Sequence, residues 1–545
     1  MKLFISIIFL FILTFQANCS TIQLWRQNSS NYSIILPSNS NADLKKGASI
    51  LQKYIQQKSG INFPIIDEQK YKGSSGIYIG QTRYSKSKFN TNSLSDRGYY
   101  IGQDGNNILL IGKTERGSLN SIFGFLEKYL DIELLSKNDV YFSKENQKTI
   151  DIKNQYFNPS FERMDIFNAI SYTDLYGFWY GNDHLFKNNF DSEWGIFGHT
   201  FFAIIPPSKY LKSNPDFFLY DKGSPSQLNI YNSKLVEEVK KNLKELMSKK
   251  PNKKYWMVGQ EDDKTFFGKN KSSNLSNDLM KFINNIASSF PDKIIGTFAY
   301  QESLSAPTNI KPLTNVYVCF APIDAVYNQN IYSGVNIKYS NELIKWSELT
   351  KNLMVWEYVS NYSNPMMPYP TFNVISENLK FYHKTGVKRI YLEGINRNEE
   401  VFNELYTYLF NKLYWNINQD PNFIVKDFCN KFYGPAGNYI VKYITELQNN
   451  VKNTGDRFRF YDTSNKYLDS KYLNNYDAIL ADASKSVDSS PIFLKRVNKV
   501  RSQIDINLMG GNLNKGDNRS KRFKQTMKDT EVSSLMFKGK SIKVQ

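Results

Sequence analysis

The chain has 545 residues, of which 41% are hydrophobic and 15% aromatic, so it is too long for one ordinary domain and has ample material for buried cores. Its formal net charge is +18, and the excess of lysine and arginine is spread along the chain rather than collected in one basic tail. Such a charge attracts polyanions, or it simply reflects a lysine-rich composition. Because no basic stretch carries a nucleic-acid-binding motif, we predict no nucleic acid partner.

The first residues have the pattern of a secretory signal. Lys2 precedes an apolar run over residues 3–15, and small or polar residues follow as far as Ser20. The run is too short to cross a bilayer, so we assign residues 1–19 as a signal peptide and predict no stable membrane span. The sequence therefore predicts a secreted, periplasmic or cell-surface protein. A lipid anchor on Cys19 is the alternative, although the residues before it make a poor lipoprotein signal.

Residues 21–158 alternate short strand-like and helix-like pieces. Apolar residues at helical spacing predict a helix over 42–58, and glycine-bounded runs predict strands over 76–80 and 107–112. A second helix is predicted over 118–130. The pattern indicates an α+β accessory domain, whose glycines form no dinucleotide or phosphate loop.

Residues 159–420 show strands that alternate with helices. Strands are predicted over 161–169, 254–260, 294–300, 316–320, 353–357 and 388–393. Helices are predicted over 233–247, 275–290, 341–349, 372–385 and 399–415. Such alternation implies a parallel sheet, and over so long a stretch a closed (β/α)₈ TIM-type barrel in an α/β protein is the leading choice. A doubly wound open sheet is the alternative, weakened by the lack of a glycine-rich first turn.

The remainder of the chain reads as helices followed by a tail. Apolar spacing predicts a helical domain over residues 421–509. Residues 510–545 are rich in glycine, lysine and asparagine, so we expect a loosely ordered basic tail, at least as far as Val532.

Carboxylates follow several of the predicted strands. The apolar run at 255–258 is followed by Glu261 and Asp262, while Glu357 and Glu393 end later strands. In a parallel barrel these ends meet at one mouth. Two carboxyl groups are what cleavage of a glycosidic bond needs, since one protonates the leaving oxygen and the other acts as base or nucleophile. A solvated surface loop, with aspartate capping a helix, explains the first cluster equally well.

Polar and aromatic residues near the same strand ends are candidates for binding a sugar. They are Arg163, His199, Gln260, Tyr300, Trp356, Tyr358 and Asn361. Arg163 is equally explained as an ion-pair partner of Glu357, and His199 as a core residue. The chain has only three histidines, so we predict no zinc site, and we predict no other metal and no cofactor. A serine hydrolase is not expected either, because no nucleophile-elbow motif is present.

Several segments resemble a known bacterial family. The resemblance is carried by Trp194–Phe202, Ile205–Tyr210, Asn214–Phe218, Val258–Asp262, Phe298–Gln301, Trp356–Tyr362, Pro368–Pro370, Asn411–Asn416 and Phe432–Ala436. Together they make residues 159–508 similar to the uncharacterised family called domain of unknown function 4838. Such proteins look like relatives of α-glucuronidases and β-N-acetylhexosaminidases. The resemblance thus implies a barrel preceded by an α+β domain and followed by helices, and a carbohydrate substrate.

The resemblance also bears on single residues. By position, the aspartate of the family's Gln-Asn-Asp motif falls on Asp262, and its acidic residue after tryptophan falls on Glu357. The family commonly has a cysteine cluster after the first motif, whereas residues 265–273 contain none. This departure leaves the geometry next to Asp262 and Asp263 open.

We therefore predict a glycoside hydrolase of poly- or oligosaccharides, with uronic acids and N-acetylhexosamines as candidate sugars. Asp262 or Glu261 is predicted to be the general acid. Strand neighbours face opposite ways, which leaves open which of Glu261, Asp262 and Asp263 points inward, and we favour Asp262. Glu357 and Glu393 are candidates for base, nucleophile or orienting carboxylate, and a substrate-assisted route is equally open. The alternative is a non-catalytic carbohydrate-binding or cell-surface protein that keeps the barrel. The sequence leaves the oligomeric state open.

Overall fold

The computed structural model describes residues 21–137, 139–171, 173–181, 193–263, 274–394, 397–463 and 465–544. The expectations for the signal segment 1–19, for Cys19 and for the loop 265–273 lie outside these residues. The chain divides into two compact units, one of residues up to 133 together with 142–158, the other of 134–141 together with residues from 159 onward. Within the described ranges, no helix is long and apolar enough to cross a bilayer.

Ten short strands and three helices lie before residue 159 in the described part of the chain. The strands are β1 (Ile22–Arg26), β2 (Ser33–Leu36), β3 (Ile65–Asp67), β4 (Gly76–Ile79), β5 (Tyr99–Asp104), β6 (Asn107–Gly112), β7 (Glu133–Ser136), β8 (Asp139–Tyr141), β9 (Gln147–Ile150) and β10 (Gln155–Phe157). The helices are α1 (Ala42–Ser59), α2 (Arg83–Lys88) and α3 (Glu115–Leu130).

The first unit is built on a six-stranded mixed sheet in the order β10-β5-β6-β4-β2-β3. Its core strands β2, β4 and β6 run parallel, β5 runs antiparallel to β6, and β10 runs antiparallel to β5. Helix α3 begins three residues earlier than its apolar pattern predicts. The reason is Thr114, whose side-chain oxygen accepts a hydrogen bond from the Gly117 amide and caps the helix.

The region from residue 159 to 420 holds nine strands and eight helices among its described residues. The strands are β11 (Arg163–Phe167), β12 (Trp194–Ile196), β13 (Phe218–Asp221), β14 (Ser224–Leu228), β15 (Tyr255–Met257), β16 (Ile294–Tyr300), β17 (Val316–Ala321), β18 (Leu353–Tyr358) and β19 (Arg389–Glu393). The helices are α4 (Asp174–Tyr180), α5 (Phe201–Ile204), α6 (Pro207–Tyr210), α7 (Ser233–Lys249), α8 (Leu275–Ala287), α9 (Ile337–Leu349), α10 (Phe372–Lys384) and α11 (Asn403–Trp415).

The centre of the second unit is a parallel sheet of seven strands, in the order β11-β19-β18-β17-β16-β15-β12. Apart from the β13–β14 hairpin, strands that follow each other from β12 to β19 are sheet neighbours, and β11 pairs with β19. This order is that of a ring of strands opened between its first and second members. Alternating strands and helices thus produced the parallel sheet that the sequence predicts.

A buried arginine shows that this sheet curls strongly. Arg389 begins β19, five positions from β12, which is about 24 Å in a flat sheet. Nevertheless its guanidinium lies 2.7 Å from the carboxylate of Glu193, directly before β12, and donates to the Tyr255 hydroxyl of β15 at 2.8 Å. Strand β19 therefore approaches β15 and the start of β12 across the inner face of the sheet.

The last part of the chain is helical, followed by a hairpin. Its elements are α12 (Pro421–Tyr433), α13 (Gly437–Thr454), α14 (Ser470–Lys485), α15 (Pro491–Met509), α16 (Asn518–Asp529), β20 (Ser534–Phe537) and β21 (Lys540–Lys543). The expectation of a loosely ordered tail over 510–545 is wrong for the described residues.

Both charge and apolar packing order this tail. Arg522 donates two hydrogen bonds to the buried carboxylate of Asp505 on α15, at 2.6 and 3.0 Å. Phe523 and Met527 on the same helix α16 are buried with Ile506 in one apolar cluster. A lysine-rich composition concealed these contacts, because each depends on a single side chain rather than on the average.

Replacing a buried residue of the tail tests its order. Phe523→Ala should lower the free energy of unfolding by about 3–5 kcal/mol, because Phe523 is fully buried and truncation leaves a cavity. The control Phe423→Ala, at a side chain that is 69% exposed, should change it by about 0.5 kcal/mol or less. Denaturant unfolding followed by tryptophan fluorescence measures both. Equal stabilities of the two variants would mean that the tail does not pack.

Candidate active site

A cavity of about 500 Å³ lies at the C-terminal ends of the parallel strands. Its size is that of a small-molecule site. Aromatic rings form most of its wall: Phe167, Phe298, Tyr300, Trp356, Tyr358, Tyr362, Tyr391, Phe460 and Tyr461. Two carboxyl groups, Asp262 and Glu393, face the same space. Of the sequence candidates, the structure brings Asp262, Glu393, His199, Tyr300, Trp356 and Tyr358 together here.

The segment that carries Asp262 is fixed by a side chain from the β13–β14 hairpin. The buried Gln227 accepts a hydrogen bond from the Glu261 amide at 3.0 Å and donates one to the Glu261 carbonyl at 2.7 Å. The Glu261 carboxylate accepts from the Phe202 amide at the start of α5, at 2.8 Å. Glu261 is thus turned away from the cavity, whereas its neighbour Asp262 lines it.

A second clamp joins the same segment to the loop after β12. Thr200 donates its hydroxyl to the Met257 carbonyl at 2.7 Å and accepts from the Gly259 amide at 3.0 Å. A Cβ on Gly259 would lie only 2.6 Å from the Gly198 carbonyl oxygen, so the close approach requires glycine. The chain also turns at Gly198 itself, where φ is +89°, shortly after the end of β12.

Asp262 receives its hydrogen bond from a neighbouring strand. The Tyr300 hydroxyl at the end of β16 donates to Asp262 Oδ1 at 2.8 Å and accepts from the Gln301 side-chain amide at 2.9 Å. Gln301 has a left-handed backbone, with φ of +48°. A non-glycine residue in that conformation carries strain, which accumulates at functional sites. Burial and the Asp262 charge both raise the pKa of Tyr300, so its hydroxyl stays a donor.

Glu393 is the second carboxyl group of the cavity. It ends β19, is partly buried, and accepts a hydrogen bond from the indole N–H of Trp356 on β18. Burial raises its pKa to about 7, the Asp262 charge adds to this rise, and the Trp356 hydrogen bond opposes it. Near neutral pH this group therefore exists in both protonated and ionised forms, as a proton donor for catalysis must.

His199 stands beside this pair of carboxyl groups. Its Nδ1 lies 2.5 Å from the Gln260 carbonyl oxygen, so Nδ1 carries the proton. The imidazole ring packs at 5.1 Å from Phe298 and 6.0 Å from Tyr300. Its ring edge adds a polar group to a mostly aromatic cavity wall.

The structure does not bring Glu357 into the cavity, which corrects its assignment as a catalytic candidate. Trp356 and Tyr358 pair with Tyr391 and Glu393 and share the inner face, so Glu357 between them faces outward. There it accepts hydrogen bonds from the Tyr382 hydroxyl on α10 and from the Tyr358 amide. Its full burial raises its pKa to about 7.

Four other candidates lie outside the cavity wall and act on its framework. Arg163 begins β11 rather than ending it, about 13 Å before Phe167, and pairs with Asp165 at 3.0 Å instead of with Glu357. Gln260 is buried and donates to Ser303. Asn361 donates to the Asp462 carbonyl at 2.8 Å. The fourth, Glu261, faces α5.

Six aromatic residues of the wall escaped the sequence analysis, and two of them come from a segment far from the strands. Phe460 and Tyr461 follow α13, far along the chain from the strands, and the Asn361 hydrogen bond to Asp462 holds their loop. Their only signal was an unusually aromatic run, Arg457–Tyr461, within the predicted helical domain. Among the described residues no group of three or more His, Cys, Asp or Glu could hold a metal ion.

Fold and site together define a mixed α/β protein whose curled parallel sheet carries an aromatic cavity with two carboxyl groups at its strand ends. A family model described as "Domain of unknown function (DUF4838)" matches residues 135–445, which is more than half of the chain. The chain belongs to this family, which confirms the resemblance seen in the sequence. No curated protein matches it.

Two solved structures, both of glycoside hydrolases, are similar to the chain. One is a GH138 enzyme targeting pectin rhamnogalacturonan II, at 10% identity and a TM-score of 0.40, covering 92% of this chain and 73% of that one. The other is CpGH84B, at 11% identity and a TM-score of 0.46, covering 96% of this chain and 95% of that one.

The buried Glu357 predicts a pH-dependent stability. Its pKa of about 7 in the folded state lies above the unfolded value of about 4.3. The contribution of Glu357 to the free energy of unfolding is therefore complete below about pH 4 and is lost as the pH rises through 7. Between pH 5 and 8, Glu357→Gln should gain about 2 kcal/mol of unfolding free energy relative to the wild type. The exposed control Glu348→Gln should gain none. If the difference in unfolding free energy between Glu357→Gln and the wild type stayed constant from pH 5 to pH 8, Glu357 would not be a buried ionisable group.

Proposed function

We propose that the protein is a glycoside hydrolase that uses Glu393 as general acid and Asp262 as the partner carboxylate. One observation carries the proposal: carboxyl groups from two different strands face a single aromatic cavity, and burial prepares one of them to hold a proton at neutral pH. Environments that separate the protonation of two neighbouring carboxyl groups are the usual basis for assigning acid and partner. The sequence predicts Asp262 as the acid and Glu393 as a candidate base or nucleophile, so this assignment exchanges their roles.

We further propose that the curled sheet belongs to a (β/α)₈-type barrel. The circular strand order and the Arg389 contacts between distant strands support closure. A candidate site at the C-terminal strand ends is also where barrels of this type carry their chemistry. The gap in pairing lies between β11 and β12, on either side of residues 182–192, which are outside the described part of the chain.

In the proposed reaction, Glu393 protonates the glycosidic oxygen as the bond to the anomeric carbon breaks. The developing positive charge on the sugar then lies near the Asp262 carboxylate, which stabilises it and acts at the anomeric carbon as base or nucleophile. Tyr300 holds Asp262 Oδ1 and thereby orients the carboxylate. When Glu393 has lost its proton, the Trp356 N–H stabilises its charge.

The aromatic wall would bind the apolar faces of sugar rings. Trp356 is itself fixed by Phe197, whose ring lies parallel at 5.5 Å, and by Tyr391 at 4.3 Å. An indole held on two sides loses little conformational freedom when a ligand stacks on it. The same packing sets the direction of its N–H toward Glu393.

Removing the acid gives the first test. Glu393→Gln should lower kcat/KM about 10²–10⁴-fold on a glycoside with a poor leaving group, and much less on its dinitrophenyl counterpart, which needs no proton. The substrate is found by screening wild type on a panel of hexoside, hexosaminide and uronide glycosides. Glu357→Gln, a matched carboxyl group outside the cavity, should keep most of the activity.

Two outcomes would contradict this assignment. Equal losses on both leaving groups would remove Glu393 from the role of acid. Wild-type protein that cleaves no glycoside in the panel but binds glycans in the cavity would be the carbohydrate-binding protein that the sequence left as the alternative.

The hydrogen bond from Trp356 gives a second test, in the pH profile. Loss of a donor to the ionised form raises the pKa of Glu393, so Trp356→Phe should move the basic limb of kcat/KM upward by about one pH unit. Phe197→Leu is the control, since it loosens the same packing but leaves the indole N–H in place. A basic limb that moves equally in both variants would assign the effect to packing alone.

A further inference from the structure

A second cavity adjoins the aromatic one. It has a volume of about 1030 Å³ and shares Asp262, Tyr300 and Tyr461 with its neighbour. Tyr461 is 57% exposed and lines both cavities, so its ring offers each of them a stacking face. Since Asp262 lies at their boundary, a ligand that spans the two would have its junction beside the proposed catalytic carboxylate.

The charged groups in both cavities are mainly acidic. Asp262 and Glu393 lie in the aromatic cavity, and no lysine or arginine is among its described lining residues. Three more carboxylates, Glu302, Asp324 and Glu342, line the adjoining cavity. Anionic sugars would therefore meet like charge, which costs affinity.

The adjoining cavity also has two lysines, against four carboxylates including Asp262, so it remains acidic. Lys345 Nζ lies 2.7 Å from the Glu342 carboxylate, so this pair is neutral as a unit. Lys338 Nζ lies over the ring of its neighbour Tyr339, at 4.8 Å. Asp324 is exposed and stands on the cavity wall without an ion pair in the described part of the chain. Burial is the main cause of a raised pKa of Tyr461, and the nearby Asp262, Glu393 and Tyr362 add to the rise. Asp324 makes a smaller contribution, so its charge acts on this ring.

We infer that the site takes an uncharged oligosaccharide, with the sugar to be released in the aromatic cavity and the leaving sugar in the adjoining cavity. This inference rests on the proposed function and narrows its substrate class. It also excludes uronic acids, which the sequence left as candidates. The net charge of +18 points the other way for the surface as a whole, so local charge at the site and global charge of the chain have opposite signs.

A glycan array tests the inference with a chain that binds but does not turn over. Glu393→Gln is suitable because glutamine resembles the protonated acid and leaves the other four carboxylates in place. The array should contain matched glycans that differ only in CH₂OH or COO⁻ at C6, such as glucose and glucuronic acid or galactose and galacturonic acid. The same array is probed with a double variant that also carries Tyr461→Ala. Glycan retention that is lost in the double variant counts as binding at the site, and retention that persists is attraction to the rest of the surface.

Uncharged glycans should be retained at the site at least about tenfold more strongly than their uronate partners. Asp324→Lys, added to Glu393→Gln, should raise the retention of glycans whose second sugar, the one expected in the adjoining cavity, is a uronate. The expected rise is about tenfold, because the change replaces repulsion with attraction. Asp292→Lys, an exposed position just before the opposite end of β16, should change nothing.

Three other results would each overturn a different part of the inference. Preferential site binding of uronates overturns the uncharged class while leaving the hydrolase proposal intact. An Asp324→Lys variant that binds as its parent does, and whose circular dichroism shows that it is folded, overturns the assignment of the leaving sugar to the adjoining cavity. If no glycan is retained and the wild type cleaves none, the proposed function and this inference fall together.

Discussion

The protonation of one carboxyl group depends on where the sheet places it. Glu393 leaves the end of β19 among aromatic rings, with the Asp262 charge in the same cavity and the Trp356 N–H as its donor. The first two raise its pKa and the third limits the rise. Every chemical role proposed for the site follows from this balance, because a carboxyl group in open water would be ionised at neutral pH and could donate no proton.

Much of the surrounding structure fixes Asp262 in the wall of the cavity that Glu393 also lines. Gln227 holds the backbone of the preceding residue, Thr200 joins that segment to the next loop, and Tyr300 holds the carboxylate itself. These partners come from a hairpin, a loop and a neighbouring strand. Positioning from several directions keeps a carboxylate in place without neutralising it, which an arginine or lysine partner would do.

The sequence predicted the strands and helices well because hydrophobic periodicity is a local property. It placed acids at the right strand ends but could not rank Glu357 against Glu393, since strand alternation separates two faces without telling which one is inside. Tyr461 was missed because no local pattern links a loop after α13 to the sheet. The ordered tail was missed because individual contacts, such as those of Arg522 with the buried Asp505 and of Phe523 in its apolar cluster, outweigh an otherwise polar composition.

The most direct test of this account is the titration of Glu393 itself. Protein labelled with ¹³C at glutamate side-chain carboxyl carbons, compared with Glu393→Gln, would identify its resonance and follow it between pH 3 and 9. The account predicts a midpoint near 7 that falls in Asp262→Asn, where the neighbouring charge is gone. A midpoint near 4 that does not respond to Asp262→Asn would contradict it, because the two carboxyl groups would then share neither burial nor a cavity.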